Sequence, residues 1–364
     1  MMSGGTFEDD INSILARYQT QINKRLELFL DKKIEEASII SNYTREVAIN
    51  AKEYTLRGGK RLRPIFFIYG YKCLADDNNI DAITDAAISI ELMQSYMLIH
   101  DDIMDEDELR RGKPTFHIVY KNICEHQFGK NKAIKFGENI ALLTGDLLEA
   151  YGEEVLANST FKDEYVKNAL RKYAEIVKNV GYGQILDMMS EQKRRITEAE
   201  IIMIHKLKTA TYTIEGPLQI GAMLAGAEDK DLLIMSDYGT PLGLAFQIQD
   251  DILGLFGAEE QIGKPVGSDI REGKKTLLIL RALRNCNEAE KEIVTGALGN
   301  EHVTIDEIEV IRAIVRETGS LEYSKRLVRE KTEQAIQAIE RSNFNAEAKE
   351  FLVKIADFLG SREY

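Results

Sequence analysis

The spacing of apolar and polar positions along the chain is that of amphipathic helices, with no alternating run long enough for a useful strand. Residues 7–35 and 42–56 predict two such helices, leading into the loop "RGGKRLRP". From Ala82 to Glu108 a long, mostly apolar stretch predicts a helix that turns acidic at its end. "KAIKFGENIALLTGDLLEAYGEEVLA" and "EYVKNALRKYAEIVKNVGYGQILDMMSE" predict the next two. In "TEAEIIMIHKLKTATYTIEGPLQIGAMLAGA", Thr197 stands three residues before Glu200, the spacing of a capping box at a helix start. "LLIMSDYGTPLGLAFQIQDDILGLFG" predicts a further helix, with a local kink at Pro241. A glycine-rich loop then runs to Lys275, and three or four helices close the chain. There is no linker-like break in composition and no repeat of solenoid period. The fold class expected is all-α: one domain over residues 1–364, a bundle of roughly ten or more helices.

Composition agrees with that picture and narrows the partners. Only five prolines interrupt 364 residues, and a hydrophobic share of 44% suffices for a substantial core. A formal charge of −13 argues against nucleic acid, whose phosphates call for a basic surface. Cys73, Cys124 and Cys286 lie too far apart for a disulfide framework or a zinc site, a usage that fits a cytoplasmic protein. The start "MMSGGTFEDDINS" is polar and acidic, unlike a signal peptide. No apolar run approaches the roughly 18 to 20 residues of a spanning helix, so no transmembrane segment is expected.

Two acidic stretches change the question from fold to chemistry. "HDDIMDEDELRRGKP" places six carboxylates within eight positions and follows them with two arginines. Gln94, Leu98, Asp101, Asp105 and Glu108 fall on one helical face, so Asp101 and Asp105 present two carboxylates one turn apart. That is an oxygen-donor pair suited to a hard cation such as Mg²⁺. An EF-hand is excluded, because its glycine and closing glutamate are missing at their offsets. In "FQIQDDILGLFG", Asp250 and Asp251 interrupt an otherwise apolar helix, where a carboxylate must be paired, protonated or metal-bound. Two such clusters suggest facing carboxylate sites that hold, through Mg²⁺, a group carrying several negative charges. Since Mg²⁺ combines one or two carboxylates with phosphate oxygens and water, a phosphorylated substrate is the natural guest.

Cations stand beside these acids. "GGKRLRP" supplies Lys60, Arg61 and Arg63; Arg110 and Arg111 follow the first cluster; "HKLKT" supplies Lys208, and "GKPVGSDIREGKKT" supplies Lys264, Lys274 and Lys275. "RGGKRLR" lacks the spacing of a phosphate-binding Walker loop, and "GYGQIL" lacks the third glycine of a dinucleotide fingerprint. His100, His117, His126, His205 and His302 have no metal-ligand spacing and read as structural or surface residues.

Five ordered motifs, "GGKRLRP", "LIHDDIMDEDELRRGKPT", "GQILD", "KLKTATY" and "FQIQDDILGLFG...GKPVGSDIREGKKT", together resemble the trans-isoprenyl diphosphate synthases. The resemblance runs from about Arg57 to Thr276, with helical flanks over nearly the whole chain. It implies an all-α bundle around a deep central cavity, a homodimer, and head-to-tail condensation of isopentenyl diphosphate with allylic diphosphates. It also implies Mg²⁺, three ions per active site, bound by Asp101 and Asp105 at the first site and Asp250 at the second. Lys60, Arg63, Gln94 and Arg111 are implied to hold isopentenyl diphosphate, and Arg110, Lys208, Lys264 and Lys274 the allylic diphosphate. Thr209 and Gln247 are implied to line the cationic centre with their oxygens.

Many relatives carry a third aspartate where this sequence has Gly254, and water is expected to fill that coordination place. Product length is implied to depend on Tyr96 and Met97, five and four residues before Asp101. About 7 Å of helix rise separates Tyr96 from the metal site. A wheel puts Met97 nearer the ligand stripe, so Tyr96 as the cavity floor rests on the resemblance, which favours a C20 product of the archaeal geranylgeranyl type. A C15 or mixed product comes next. A terpene cyclase would leave "GGKRLRP" unexplained, and a non-catalytic partner subunit would be expected to lose carboxylates from one cluster.

Overall fold

The computed structural model describes residues 7–75, 79–193, 195–257 and 266–361. Among the described residues the chain is all-α apart from one two-stranded ribbon, and its contacts divide it into two compact units. The first comprises Met1–Tyr173 with Ile220–Ala227, the second Ala174–Gln219 with Glu228–Tyr364.

In the first unit, α1 (Phe7–Ile40) buries Ile11, Leu15, Tyr18, Ile22, Leu26 and Leu30, a stripe stepping by three and four residues. Ser41 caps α2 (Asn42–Leu56), accepting a bond from the Thr44 backbone at 3.1 Å. The loop after it is shorter than expected. Arg61 already stands in the left-handed region at φ 53°, and α3 (Leu62–Lys72) starts immediately, so Arg63 and Pro64 occupy its first turn. The next helix, α4 (Ile80–Met104), is apolar nearly all round and buried from Ile83 through Ser95, as the central helix of a bundle must be.

The predicted extension of this helix to Glu108 is not realised. Asp105 caps α4, Glu106 turns left-handed at φ 55°, and the Asp107 amide closes back onto the Asp102 carbonyl at 3.0 Å. The chain then forms the ribbon β1 (Leu109–Arg110) and β2 (Lys113–Pro114), with Arg111 and Gly112 both left-handed at its tip. Helices α5 (Phe116–Phe128) and α6 (Ala133–Ala157) follow, and α6 lies against α4.

Helix α7 (Asp163–Gln192) supplies residues to both units. The second unit continues with α8 (Glu198–His205), opened by the anticipated capping box of Thr197 and Glu200. The helix predicted to start at Thr197 does not continue at one pitch: Lys206–Glu215 winds as a π-helix before α9 (Gly216–Leu224) resumes the ordinary one. This wider segment needs room. A Cβ on Gly183 of α7 would come within 2.6 Å of the Lys208 backbone nitrogen. Helix α10 (Asp229–Phe256) runs on through Pro241, and a Cβ on its Gly243 would meet the Ala210 Cα at 2.5 Å. Glycine at these points is what allows two backbones to approach the π-segment so closely.

Around α10 gather the short α11 (Ser268–Arg271), α12 (Leu277–Asn285), α13 (Glu288–Ala297), α14 (Ile305–Glu317), α15 (Ser320–Glu340) and α16 (Ala346–Gly360). The apolar faces of α11 to α15 join Ile248, Ile252 and Leu255 of α10 in one core, and α16 packs on α10 and α15.

Candidate active site

The first acidic cluster sits where α4 ends. Asp101 and Asp105 are half-buried, and the Asp105 amide bonds the Asp101 carbonyl at 2.8 Å, so both carboxylates belong to the last turn. Asp102 is turned the other way and is wholly buried. It accepts the Tyr54 hydroxyl at 2.6 Å and the Arg110 Nε. Burial pushes the Asp102 carboxyl up to about 6, against the pull of the Arg110 guanidinium. The same Arg110 reaches Asp107 at 3.2 Å and lies 3.8 Å from Asp101, which ties the ribbon to the helix end. Glu108, expected on the ligand face, lies beyond the helix and is exposed.

Beside this cluster, Arg57, Arg61, Glu91, Gln94, Arg110 and Arg111 line a narrow cleft. Arg61 and Glu91 form a buried ion pair at its base, and Arg61 also donates to Asn23 at 2.8 Å and to the Thr55 carbonyl at 2.9 Å. Arg111 donates to the Gly58 carbonyl, and its guanidinium lies so close to Gly59 that a Cβ there would stand 2.9 Å from it. Both glycines take a left-handed backbone, at φ 92° and 103°, and at Gly59 the contact with Arg111 excludes a side chain as well. Gln94 is buried and its Oε1 has no hydrogen-bond partner. Lys60 is exposed and Arg63 half-buried. Among the described residues, three of the four non-glycine residues with positive φ, Arg61, Glu106 and Arg111, fall at this site.

Tyr96 and Met97 are both half-buried on α4. The Tyr96 ring meets His100 edge-on, 4.9 Å between centroids, and His100 Nε2 lies 3.0 Å from the Leu142 carbonyl of α6.

The second cluster belongs to the other unit. Gln247, Asp250 and Asp251 occupy α10; Asp250 is half-buried and Asp251 buried. Thr209, in the π-segment, donates to Gln247 Oε1 at 2.7 Å, and Gln247 Nε2 donates to Asp251 Oδ1 at 2.8 Å. His205 Nε2 lies 3.4 Å from Asp251 Oδ2. Burial, with further carboxylates at Asp269, Asp250 and Asp187, raises Asp251 well above the ordinary carboxylate range. Lys208 is paired with Asp187 at 2.8 Å, and Lys274 with Glu272. Lys264 lies outside the described residues. Lys275 donates to the Ser190 and Glu191 carbonyls at 3.2 and 2.9 Å, where it satisfies the C-terminal end of α7. The space over Gly254 is taken: a Cβ there would come 3.1 Å from an Asp269 oxygen, so an aspartate at 254 would crowd a like charge.

Asp101, Asp105 and Asp250 suit Mg²⁺ in donor type, offering oxygen alone from half-buried positions. Among the described residues no group of three or more His, Cys, Asp or Glu is arranged to hold an ion.

The all-α fold with its two aspartate pairs is that of a prenyl transferase. The chain belongs to the polyprenyl synthetase family, whose model matches residues 45–315. The geranylgeranyl diphosphate synthase of Sulfolobus acidocaldarius is 38% identical over 284 residues, 78% of this chain and 80% of that protein. The short chain isoprenyl diphosphate synthase of Methanothermobacter thermautotrophicus is 36% identical over 339 residues, 92% and 95% of the two chains. A solved geranylgeranyl pyrophosphate synthase from Corynebacterium glutamicum, complexed with isoprenyl diphosphate and magnesium, superposes with a TM-score of 0.91 at 29% identity, covering 96% and 99%. No helix among the described residues is long and apolar enough to cross a membrane.

Sequence reasoning passed over Tyr54, Glu91, Asp187 and the inward role of Asp102 and Asp251. Asp187 stands in "GQILD", and Asp102 and Asp251 each follow a candidate ligand in the two acidic motifs. For the second aspartate of each pair the signal was available: neighbouring helix positions point about 100° apart, so two adjacent aspartates cannot both face one metal.

Proposed function

We propose that this chain is a Mg²⁺-dependent geranylgeranyl diphosphate synthase. It condenses isopentenyl diphosphate head to tail with dimethylallyl, geranyl and farnesyl diphosphates, releasing diphosphate. The observation that carries the reading is the guanidinium-lined pocket abutting the Asp101–Asp105 turn, where Arg111 is held by the Gly58 carbonyl and Gln94 presents an unpartnered amide oxygen. One diphosphate seated there stands next to carboxylates fitted to hold another through metal. The C20 length follows the names of the relatives and the half-buried Tyr96 on His100 as cavity floor.

In this reading Asp101, Asp105 and Asp250 hold Mg²⁺, three ions per site, on the allylic diphosphate. The metal, when bound, neutralises the diphosphate and makes it a better leaving group. Arg110, Lys208, Lys264 and Lys274 grip the same anion, so charge developing on the departing oxygen meets preorganised cations. Lys60, Arg63, Gln94 and Arg111 orient isopentenyl diphosphate with its double bond toward the allylic carbon. Thr209 and Gln247 turn oxygens toward the positive charge that forms there, and the condensation ends with loss of a proton to the departing diphosphate. Residues 1–364 act as one catalytic domain, in the cytoplasm, as a homodimer. Exposed Leu142, Leu143 and Leu147 on α6 give a second copy an apolar surface to cover.

The test is incubation with Mg²⁺, isopentenyl diphosphate and each allylic diphosphate in turn, followed by sizing of the dephosphorylated products. C20 alcohol from all three primers is expected. Absence of any isopentenyl incorporation would reject the reading in favour of a cyclase or a non-catalytic subunit.

A further inference from the structure

The buried pair formed by His205 and Asp251 is not explained by folding. His205 closes α8, Asp251 sits four residues after Gln247 on α10, and both are at least nine-tenths buried. His205 Nδ1 and Asp251 Oδ2 have no hydrogen-bond partner. An orphaned buried polar atom is destabilising, whereas two apolar side chains of similar size would fill the same space without that cost. A polar pair kept on such terms points to a task.

Geometry says which task. Asp251 Oδ1 accepts from Gln247 Nε2 at 2.8 Å, while Oδ2 faces His205 Nε2 at 3.4 Å. Oδ1 is thus the oxygen that acts as the acceptor toward Gln247. An acceptor can be satisfied only by the –NH₂ edge of the Gln247 amide, and the amide is planar. Its carbonyl edge therefore faces the opposite way, where Oε1 accepts the Thr209 hydroxyl proton at 2.7 Å. With that proton committed, Thr209 and Gln247 both present oxygen lone pairs. A flipped amide would present N–H groups instead and would repel a carbocation.

We infer that Asp251, backed by His205, is a positioning residue that selects the carbonyl-outward orientation of the Gln247 amide, and that it acts as a hydrogen-bond acceptor without ligating metal. The inference rests on the prenyl-transfer reading above, in which Thr209 and Gln247 face the cationic centre. It adds two residues to that machinery and separates the roles of the adjacent Asp250 and Asp251.

Three variants of the full-length protein test it: Asp251→Asn, Asp251→Leu and His205→Phe. Asn at 251 keeps an acceptor toward Gln247 and turns a donor toward His205 Nε2, so it should rescue the function. Its kcat is expected within about threefold of wild type, with the Mg²⁺ concentration for half-maximal rate unchanged within about twofold. Asp251→Leu removes the acceptor, and kcat should fall roughly tenfold to a hundredfold with little change in KM for either diphosphate. His205→Phe, which leaves Oδ1 in place, should lower kcat by about threefold to tenfold. If Asp251→Leu does not fold, Asp251→Asn decides alone, since it preserves volume and both contacts. An Asn variant as damaged as Asp250→Asn, with a raised Mg²⁺ requirement, would overturn the inference and make Asp251 a metal ligand. A wild-type enzyme that incorporates no isopentenyl units would instead reject the underlying function, so the two failures are distinguishable.

Discussion

Tyr54 donates its hydroxyl to Asp102 at 2.6 Å and thereby joins α2, from which the glycine loop departs, to the acidic end of α4. Burial raises the Tyr54 hydroxyl well above its ordinary range, with the Asp102 carboxylate adding to the effect, so Tyr54 remains a donor throughout. Arg110 is the other donor to Asp102, and α2, the ribbon and the end of α4 therefore share one buried carboxylate. Tyr54→Phe keeps the ring and deletes one bond. It should lower stability by about 1–2 kcal/mol, since a charged acceptor loses a buried donor. It should also raise KM for both diphosphates about threefold to tenfold as Arg110 loosens. Urea unfolding and steady-state kinetics on one preparation read both effects; unchanged KM values would show Arg110 to be held by other means.

Gly59→Ala places a methyl group against the Arg111 guanidinium on a residue at φ 103°. A left-handed non-glycine residue costs about 1–2 kcal/mol, and Arg111 must move in addition. KM for isopentenyl diphosphate should rise about tenfold with the allylic KM nearly constant. A selective rise locates isopentenyl diphosphate at the Arg111 pocket; an equal rise for both substrates would argue against that seat.

Tyr96→Ala deepens the space beside His100. Chains longer than C20 should appear when products are separated by reversed-phase chromatography. A product spectrum identical to wild type would remove Tyr96 as the floor.

Lys33, buried on α1, bonds Glu36 at 2.9 Å and Glu154 of α6 at 2.7 Å and lies over the rings of Phe29 and Tyr151. Burial alone would lower its pKa, but the bonds from Glu154 and Glu36 outweigh it and raise the group above 10.5. A raised lysine stabilises the fold fully below 10.5, and that stability is lost as pH rises through the folded-state value. Lys33→Met should cost about 1–2 kcal/mol at neutral pH, discounted because both partners are solvent-exposed, and should flatten the decline in melting temperature above about pH 10. Thermal melts from neutral to alkaline pH check the slope.

The sequence made the helices legible where periodicity was strong: Asn42–Leu56 matches to the residue, and α7 to within one at each end. It misled where local conformation overrode pattern. Acidic residues continue the helical spacing to Glu108, yet left-handed Glu106 turns the chain at Asp105. Nothing in "KLKTATYTIE" announces a π-helix, and the glycines of α7 and α10 that make room for it lie elsewhere in the chain. Candidate ligands were legible as motifs, whereas their supports Tyr54, Glu91 and His205 were not. Each of those is defined by a contact 30 to 48 or more positions away, or by burial, and neither leaves a periodic trace.

The winding of Lys206–Glu215 also constrains which relatives of this chain are viable. An i→i+5 coil holds more residues per turn than its α-helical neighbours, so losing one amino acid from the stretch would let it rewind at the usual pitch. Everything downstream would then rotate by about 100° relative to what precedes it. Natural selection should therefore treat this decapeptide as intolerant of length change while accepting many side-chain exchanges within it.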